Sequence, residues 1–327
     1  MKNPIAKISG MAVAAALVVA MGAVSARAAV DGTFERSLKV SGPVNLEVTT
    51  GSGNITVQRG GDGQVHVVGH VRASNWFSDG AEQRVQKIRD NPPIQQSGND
   101  IRIGHIDDPD LRHSVSISYE LTVPAATRLR AQSGSGNLEI AGIQGPVEVQ
   151  AGSGGIKVTD VGGTLRAETG SGTISIEQVK GNVRARAGSG SIRASAIAGG
   201  FEGETGSGRV TLEQTASGSV RVGTGSGSIE LRGLRGSLDA HAGSGSIEAD
   251  GDPTGAWALH SGSGGIRLRL ASDAAFDLNA RTSSGSLTVN HPITVQGSMG
   301  RKEVHGKVHG GGVVVEVETG SGNIEIE

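Results

Sequence analysis

GSGTISIEQVKGNVRARA, residues 170–187, is one unit of a repeat that runs through most of this chain of 327 residues. It opens with a Gly-Ser-Gly triplet and continues as an alternation in which Ile174 and Ile176 are apolar. Nine residues later a second alternating pair follows, Val183 and Ala185. Alternation with a period of two indicates a β-strand with one buried face. Each unit therefore predicts two short strands joined by turns that contain glycine.

The triplets recur at nearly constant intervals. They start at Gly51, Gly134, Gly152, Gly170, Gly188, Gly206, Gly225, Gly243, Gly262 and Gly320, and Ser283-Ser284-Gly285 is a degenerate copy. From Gly134 to Gly262 the steps are 18, 18, 18, 18, 19, 18 and 19 residues. Self-similarity at a fixed period of this length is typical of a solenoid.

A unit with two strands can bury its apolar side chains only against the units before and after it, which makes the strands parallel and the sheets two. The sequence thus predicts an all-β protein, a single-stranded parallel β-solenoid with about 18 residues per coil. We expect a right-handed wind, because parallel crossovers within a sheet almost always have that hand. Glycine is expected at the corners because it tolerates positive φ, and the triplet serines are expected to stack and to be hydrogen-bonded there.

The outward residues of the second strand form two predicted charge ladders along the stack. One ladder reads Glu148, Arg166, Arg184, Glu202, Arg221 and Asp239, and the other Gln150, Glu168, Arg186 and Glu204. Most neighbours have opposite signs, so the ladders are expected to fix the register of the strands and to discourage pairing with other chains.

The repeat is regular over residues 131–327 and irregular over residues 29–130. Within the irregular part, residues 79–89 place Ala81, Val85 and Ile88 on one helical face, which predicts a short inserted helix. Residues 297–312 loosen the pattern near the other end, and a last coil is expected to close the stack at Ile324 and Ile326.

Residues 1–28 have the layout of a secretory signal peptide, with Lys2 and Lys7 before an apolar run and small residues up to Ala28. We expect cleavage after Ala28, no membrane span after that, and a periplasmic or secreted mature chain. Cleavage removes three basic residues and no acidic ones, which takes the formal net charge from −2 to −5. This acidic balance argues against nucleic acid and anionic lipid as partners.

No catalytic or cofactor-binding constellation emerges from the sequence. The triplet serines lack the Gly-x-Ser-x-Gly elbow of a hydrolase. The densest cluster of potential metal ligands is His105, Asp107, Asp108, Asp110 and His113, for which a solvated loop is the alternative interpretation. Trp76 and Phe77 could form a platform for sugar stacking, or could pack the inserted helix onto the solenoid.

Two phrases resemble a known family. Residues 121–129 read LTVPAATRL and lead into SGSGNL at 133–138, and residues 319–324 read TGSGNI. These resemble the bacterial β-strand-repeat family of unknown function that is labelled "putative adhesin", over residues 31–327. The resemblance implies a β-solenoid and a role at the cell envelope or surface, and it brings no catalytic residues with it.

The leading functional hypothesis is therefore a non-catalytic structural or binding protein of the cell envelope, which presents a long sheet face to a polysaccharide or protein partner. The alternative is a polysaccharide lyase or hydrolase on a β-helix scaffold. Such an enzyme would need clustered acid and base residues and aromatic sugar platforms along one face.

Overall fold

The computed structural model describes residues 29–73, 80–295 and 300–327. Two large sheets face each other. The 14-stranded sheet contains β1 (Val30–Lys39), β3 (Ile55–Arg59), β4 (Gln64–Ala73), β7 (Val115–Val123), β9 (Leu138–Ala141), β11 (Ile156–Val161), β13 (Ile174–Val179), β15 (Ile192–Ile197), β17 (Val210–Gln214), β19 (Ile229–Arg235), β21 (Ile247–Asp252), β23 (Ile266–Leu270), β25 (Leu287–Val289) and β29 (Ile324–Ile326).

The 15-stranded sheet contains β2 (Val44–Thr50), β5 (Ile94–Ser97), β6 (Asp100–Ile103), β8 (Thr127–Ser133), β10 (Val147–Ala151), β12 (Leu165–Thr169), β14 (Val183–Ala187), β16 (Phe201–Thr205), β18 (Val220–Thr224), β20 (Leu238–Ala242), β22 (Trp257–Ser261), β24 (Phe276–Thr282), β26 (Ile293–Val295), β27 (Glu303–Val308) and β28 (Val313–Thr319). Two short helices, α1 (Ala81–Asp90) and α2 (Pro109–Ser114), lie outside the sheets.

The predicted solenoid is confirmed in the body of the chain. From β8 to β23 successive strands alternate between the two sheets, and each pairs in parallel with the strand one coil away, as Ile156 pairs with Ile174 and Val147 with Leu165. The alternating apolar residues of both strands point into a core between the sheets and are almost wholly buried. The right-handed wind of the solenoid remains a prediction.

Glycine is required at the triplet corner by close approach between coils. A Cβ on Gly172 would lie 2.0 Å from the carbonyl oxygen of Gly154, one coil earlier. The triplet glycines do not have positive φ, so the expected reason was wrong at this corner. Positive φ occurs at the opposite corner, where Gly142 and Gln178 have φ values of 76° and 57°.

The corner hydroxyl comes from the residue before the triplet. Thr169 Oγ1 donates to the carbonyl of Gly154 at 2.9 Å and accepts from the backbone N–H of Gly172 at 3.2 Å. The same pair of hydrogen bonds is made by Ser133, Thr205, Thr224 and Ser261. The triplet serines are exposed, and among the described residues only Ser52 uses its hydroxyl in a hydrogen bond. The expectation of a bonded column of triplet serines was therefore wrong.

The N-terminal end inverts the order of the coils. The coil β2–β3 lies between the later coils β6–β7 and β8–β9, because β2 pairs with β6 and β8, and β3 with β7 and β9. Antiparallel strands finish this end, with β4 on β7, β1 on β4 and β5 on β6. The predicted helical face is confirmed, since Ala81, Val85 and Ile88 of α1 are buried. The second helix, α2, was not predicted.

The C-terminal end is inverted in the same way. The strand β28 lies between β22 and β24, and β29 lies between β23 and β25. On the far side of β24 the strand β27 pairs antiparallel, and β26 pairs antiparallel with β27. The prediction that the coil of Ile324 and Ile326 closes the stack was wrong, because that coil is second from the end.

Candidate binding face

The outer face of the 15-stranded sheet carries the two predicted rows of polar side chains. Strand register places Glu202 between Arg184 and Arg221, which confirms the first predicted ladder at this point. The second row continues beyond Glu204 with Gly223, His241 and His260. These rows run along the solenoid and define what we call the ladder face.

The ion pairs of the ladder face do not all join residues that are directly opposite each other on neighbouring strands. Glu202 Oε1 lies 2.9 Å from Arg184 Nη2 and 3.5 Å from Arg186 Nη2, whereas Arg221 Nε pairs with Asp239 Oδ2 at 3.1 Å. All of these side chains are between about a third and two thirds exposed. Each pair therefore contributes little stability, about 0.2–1 kcal/mol, and the ladder acts mainly on register.

Like charges also meet on this face. Arg166 is directly opposite Arg184 in the parallel register. The guanidinium of Arg166 turns instead to Glu168 of its own strand, with 2.6 Å between Nη2 and Oε1. The ladder face is thus mixed in charge, without a strict alternation of sign.

A shallow groove of about 1240 Å³ runs along the ladder face beside the triplet corner. It extends from Thr49 on β2 to His241 on β20 and crosses eight neighbouring strands. Seven strand spacings of ~4.8 Å make it roughly 34 Å long. A groove of this length fits an extended polymer better than a small metabolite.

The floor of the groove includes bare backbone, from the first glycine of successive triplets, among them Gly170 and Gly188. Beside it lie the residues that precede the triplets, such as Thr169 and Ala187. A Cβ on Gly188 would lie 2.4 Å from the carbonyl oxygen of Gly170, so no other residue fits without a shift of the stack. The second row of the ladder face forms one wall, with Gln150, Glu168 and Arg186 as examples.

Gly223 leaves a notch in that wall. Its neighbours in the second row are Glu204 and His241. A Cβ on Gly223 would have its nearest neighbour, Cγ of Glu204, at 4.0 Å, so the space is open. Unlike the corner glycines, Gly223 is not required by packing, and a larger side chain there would project into the groove.

Two histidines continue the second row beyond the notch, and the first of them, His241, lines the groove. The rings of His241 and His260 are stacked, with centroids 5.3 Å apart and an interplanar angle of 6°. His260 Nδ1 lies 3.5 Å from Glu318 Oε2. The sequence carries a signal for this pair, since both histidines occupy the same position of successive repeats.

The sequence candidates for a metal site lie around α2 and are only partly brought together. His105 Nε2 is 3.0 Å from Asp107 Oδ1. Asp108 caps α2 by accepting from the backbone N–H of Asp110 at 3.0 Å, and its other oxygen is 2.8 Å from Lys87 Nζ. Across residues 29–73, 80–295 and 300–327, no three side chains of His, Asp or Glu converge on a common point.

The remaining candidates lie outside what is described. The side chain of His113 and residues Trp76 and Phe77 are not among the described parts of the chain. The suggested metal cluster and the suggested sugar platform therefore stay predictions.

Two carboxylates have shifted pKa values, and both shifts favour the charged form. The hydrogen bond from Lys87 lowers the pKa of Asp108 below its ordinary value. The hydrogen bond from Arg267 lowers the pKa of Glu325. A general acid requires the opposite direction, a carboxyl that holds its proton near neutral pH.

The architecture defines the class of this protein as a two-sheet parallel β-solenoid, with antiparallel strands at the N-terminal end of both sheets and at the C-terminal end of the 15-stranded sheet. No helix in the described parts of the chain is long and apolar enough to cross a membrane. Residues 44–327 match the model of the family described as Toastrack DUF4097, and the chain belongs to that family. The resemblance noted in the sequence is thereby confirmed.

The solved structures to which this chain is similar include three from bacteria. A "putative cell adhesion protein" from Clostridium sporogenes ATCC 15579 is 11% identical, with 90% of this chain and 99% of that chain covered and a TM-score of 0.20. "Putative adhesin" structures from Bacteroides fragilis NCTC 9343 and Parabacteroides distasonis ATCC 8503 are 12% and 13% identical, with TM-scores of 0.33 and 0.37. Both cover 90% of this chain and 97% of their own. No curated protein matches the chain.

Proposed function

We propose that this chain is an exported, non-catalytic protein of the cell envelope that holds an extended partner in the groove of the ladder face. The partner is a polysaccharide or an extended segment of an envelope protein. The observation that carries the proposal is the groove itself, which continues across eight strands and has a backbone floor and a polar wall. Such a surface offers hydrogen-bonding groups at the regular spacing of the coils.

The chemistry of the face supports binding rather than catalysis. Its acidic side chains are engaged by arginines, as Glu202 is by Arg184 and Glu168 by Arg166. A lyase or hydrolase would instead need a carboxyl or another group tuned to exchange protons.

Export is part of the proposal and rests on residues 1–28. The intact mass of protein recovered from the periplasm is expected to lack these residues or nearly all of them. Recovery of only the full-length chain, in membranes, would contradict export in soluble form.

The groove is tested by filling its notch. Mature protein is screened against envelope glycans and envelope proteins, with the release of reducing ends measured in parallel. Gly223→Tyr is expected to lower affinity for the captured partner by about tenfold. Ser175→Tyr, at an exposed position on the outer face of the other sheet, is the matched control and should bind normally.

Folding does not confound this comparison. A glycine inside a strand is destabilising by about 0.5–1 kcal/mol, so Gly223→Tyr should be at least as stable as the parent. Equal binding by both variants would place the partner elsewhere on the molecule. Release of reducing ends by the parent would favour the lyase or hydrolase.

A further inference from the structure

The inverted C-terminal end divides the fold into a slot and an insert. The insert is the coil β28–β29, and the slot is the space between the coils β22–β23 and β24–β25. Backbone pairing holds the insert on both sides, with Val317 of β28 opposite Leu259 of β22 and Ala280 of β24. We infer that this slot is an interaction site for a second copy of the chain, which fills it with its own residues 313–327 in a reciprocal exchange. This inference is independent of the proposed partner of the groove.

One short connection joins the insert to the body of the described chain. Residues 309–312 link the end of β27 to the start of β28 and contain three successive glycines. His309, Gly310 and Gly311 all have positive φ, with values of 47°, 90° and 86°. His309 is not a glycine, so its left-handed backbone is strained.

The hinge must pass over the end of β24. Val308 and Val313 are both in register with Phe276, on opposite sides of β24. Two strand spacings put them about 10 Å apart. The five Cα steps from 308 to 313 can span at most roughly 17 Å, which leaves slack for the crossing. Without two of the linking residues the limit falls to roughly 10 Å, which leaves no slack for the crossing over β24.

Exchange preserves every contact of the slot. The insert buries Val315, Val317, Ile324 and Ile326 in the common core, and a second copy brings the same four side chains. The two arrangements differ only in the hinge and in the entropy of association, so protein concentration sets the balance between them.

The other inverted coil has no such freedom. The coil β2–β3 is followed by β4 and preceded by β1, and both of those strands pair within the N-terminal end. Its release would require two connections to open together. Within the described chain, the exchange is therefore specific to the coil β28–β29.

The absence of cysteine from the chain allows a direct test. His260 and Glu318 are register partners across one wall of the slot. Neighbouring positions on paired strands are ~4.8 Å apart, within the Cα separation that a disulfide accepts. One mature chain carries only His260→Cys, and a second carries only Glu318→Cys. The two are unfolded together in urea, refolded as a mixture and oxidised, so that only exchange brings the two thiols together.

The matched control is a mixture of Arg186→Cys and Glu204→Cys chains. These positions are also register partners, on β14 and β16, but both lie in the body of one chain. We expect a disulfide-linked dimer from the first mixture and at most a trace from the control. A tenfold rise in protein concentration during refolding should raise the ratio of dimer to monomer about tenfold. Deletion of Gly310 and Gly311 should move the remaining monomer into the dimer.

Three results would overturn the inference. One is equal cross-linking in the test and control mixtures. Another is that neither mixture forms a disulfide-linked dimer at the highest protein concentration at which the parent refolds. The third is cross-linking of the His260→Cys chain to a synthetic peptide of residues 313–327 that carries Glu318→Cys, without any between whole chains. Because the parent hinge is intact in both mixtures, the comparison between them stands even where the hinge deletion fails to fold.

Discussion

The corner hydroxyls make a quantitative prediction about stability, and Thr205 tests it. Thr205 Oγ1 donates to the Gly190 carbonyl at 2.7 Å and accepts from the Gly208 N–H at 3.2 Å. The side chain is 6% exposed, so water does not readily replace either bond. Thr205→Val keeps the shape of the side chain and removes both hydrogen bonds. At about 1 kcal/mol for each, the variant should lose about 2 kcal/mol of unfolding free energy.

The chain supplies the reciprocal experiment. Ala187 occupies the same position one coil earlier, is equally buried and has no hydroxyl. Ala187→Ser should donate to the carbonyl of Gly172 and accept from the N–H of Gly190, as Ser133 and Ser261 do in their own coils. The expected gain is about 1 kcal/mol, since one serine rotamer must be fixed to form the bonds.

Urea denaturation followed by far-UV circular dichroism measures both changes. The free energies of unfolding are compared between variants whose unfolding free energy falls with urea concentration at the same slope. The decisive result is whether the two substitutions change the free energy of unfolding in opposite directions. If Thr205→Val and Ala187→Ser both change stability by less than about 0.5 kcal/mol, the corner hydroxyls do not stabilise the stack.

Three further predictions concern charge, repeat length and pH. Glu202→Arg should cost on the order of 1 kcal/mol at low salt and less at high salt, because the site is exposed and screened; a cost independent of salt would mean that the ladder is misassigned. Deletion of residues 170–187 removes one whole coil and should leave a cooperative β-rich protein. Deletion of residues 170–178 removes half a coil and should cause aggregation or a much lower melting temperature. Equal damage from both deletions would contradict the 18-residue coil. The pKa of Glu325 is lowered by Arg267, so this pair stabilises the fold above the ordinary carboxyl pKa, and its contribution is lost as pH falls through the folded-state pKa. Arg267→Gln should raise the pKa of Glu325 in a carbon-13 titration. An unchanged pKa would show that Arg267 is not the cause of the shift.

The body of the fold could be predicted because the sequence of each coil indicates which of its side chains are buried. The alternation of Ile174 and Ile176 fixes which side chains enter the core, and the 18-residue step fixes which strands are neighbours. The inward positions of the interior coils are buried, whereas Leu287 and Val289 of the terminal coil are half-buried.

The inverted ends could not be read from the same pattern. The coil of Ile324 and Ile326 has the same triplet and alternation as every other coil, so periodicity does not say which neighbour it stacks on. The helix α2 was within reach of sequence reasoning, since Asp108 followed by Pro109 is typical of a helix start. The notch at Gly223 was not, because a glycine that packing requires and one that leaves space look alike in the sequence.

The interchangeable coil has an evolutionary consequence. Because the interior coils share nearly one length and pair in one register, the gain or loss of a whole coil leaves the strand pairing at both ends unchanged. Each such event would change the reach of the groove by one step of ~4.8 Å. Under the proposed function, the number of coils would set the length of partner that the groove can hold, and selection could adjust that length one coil at a time.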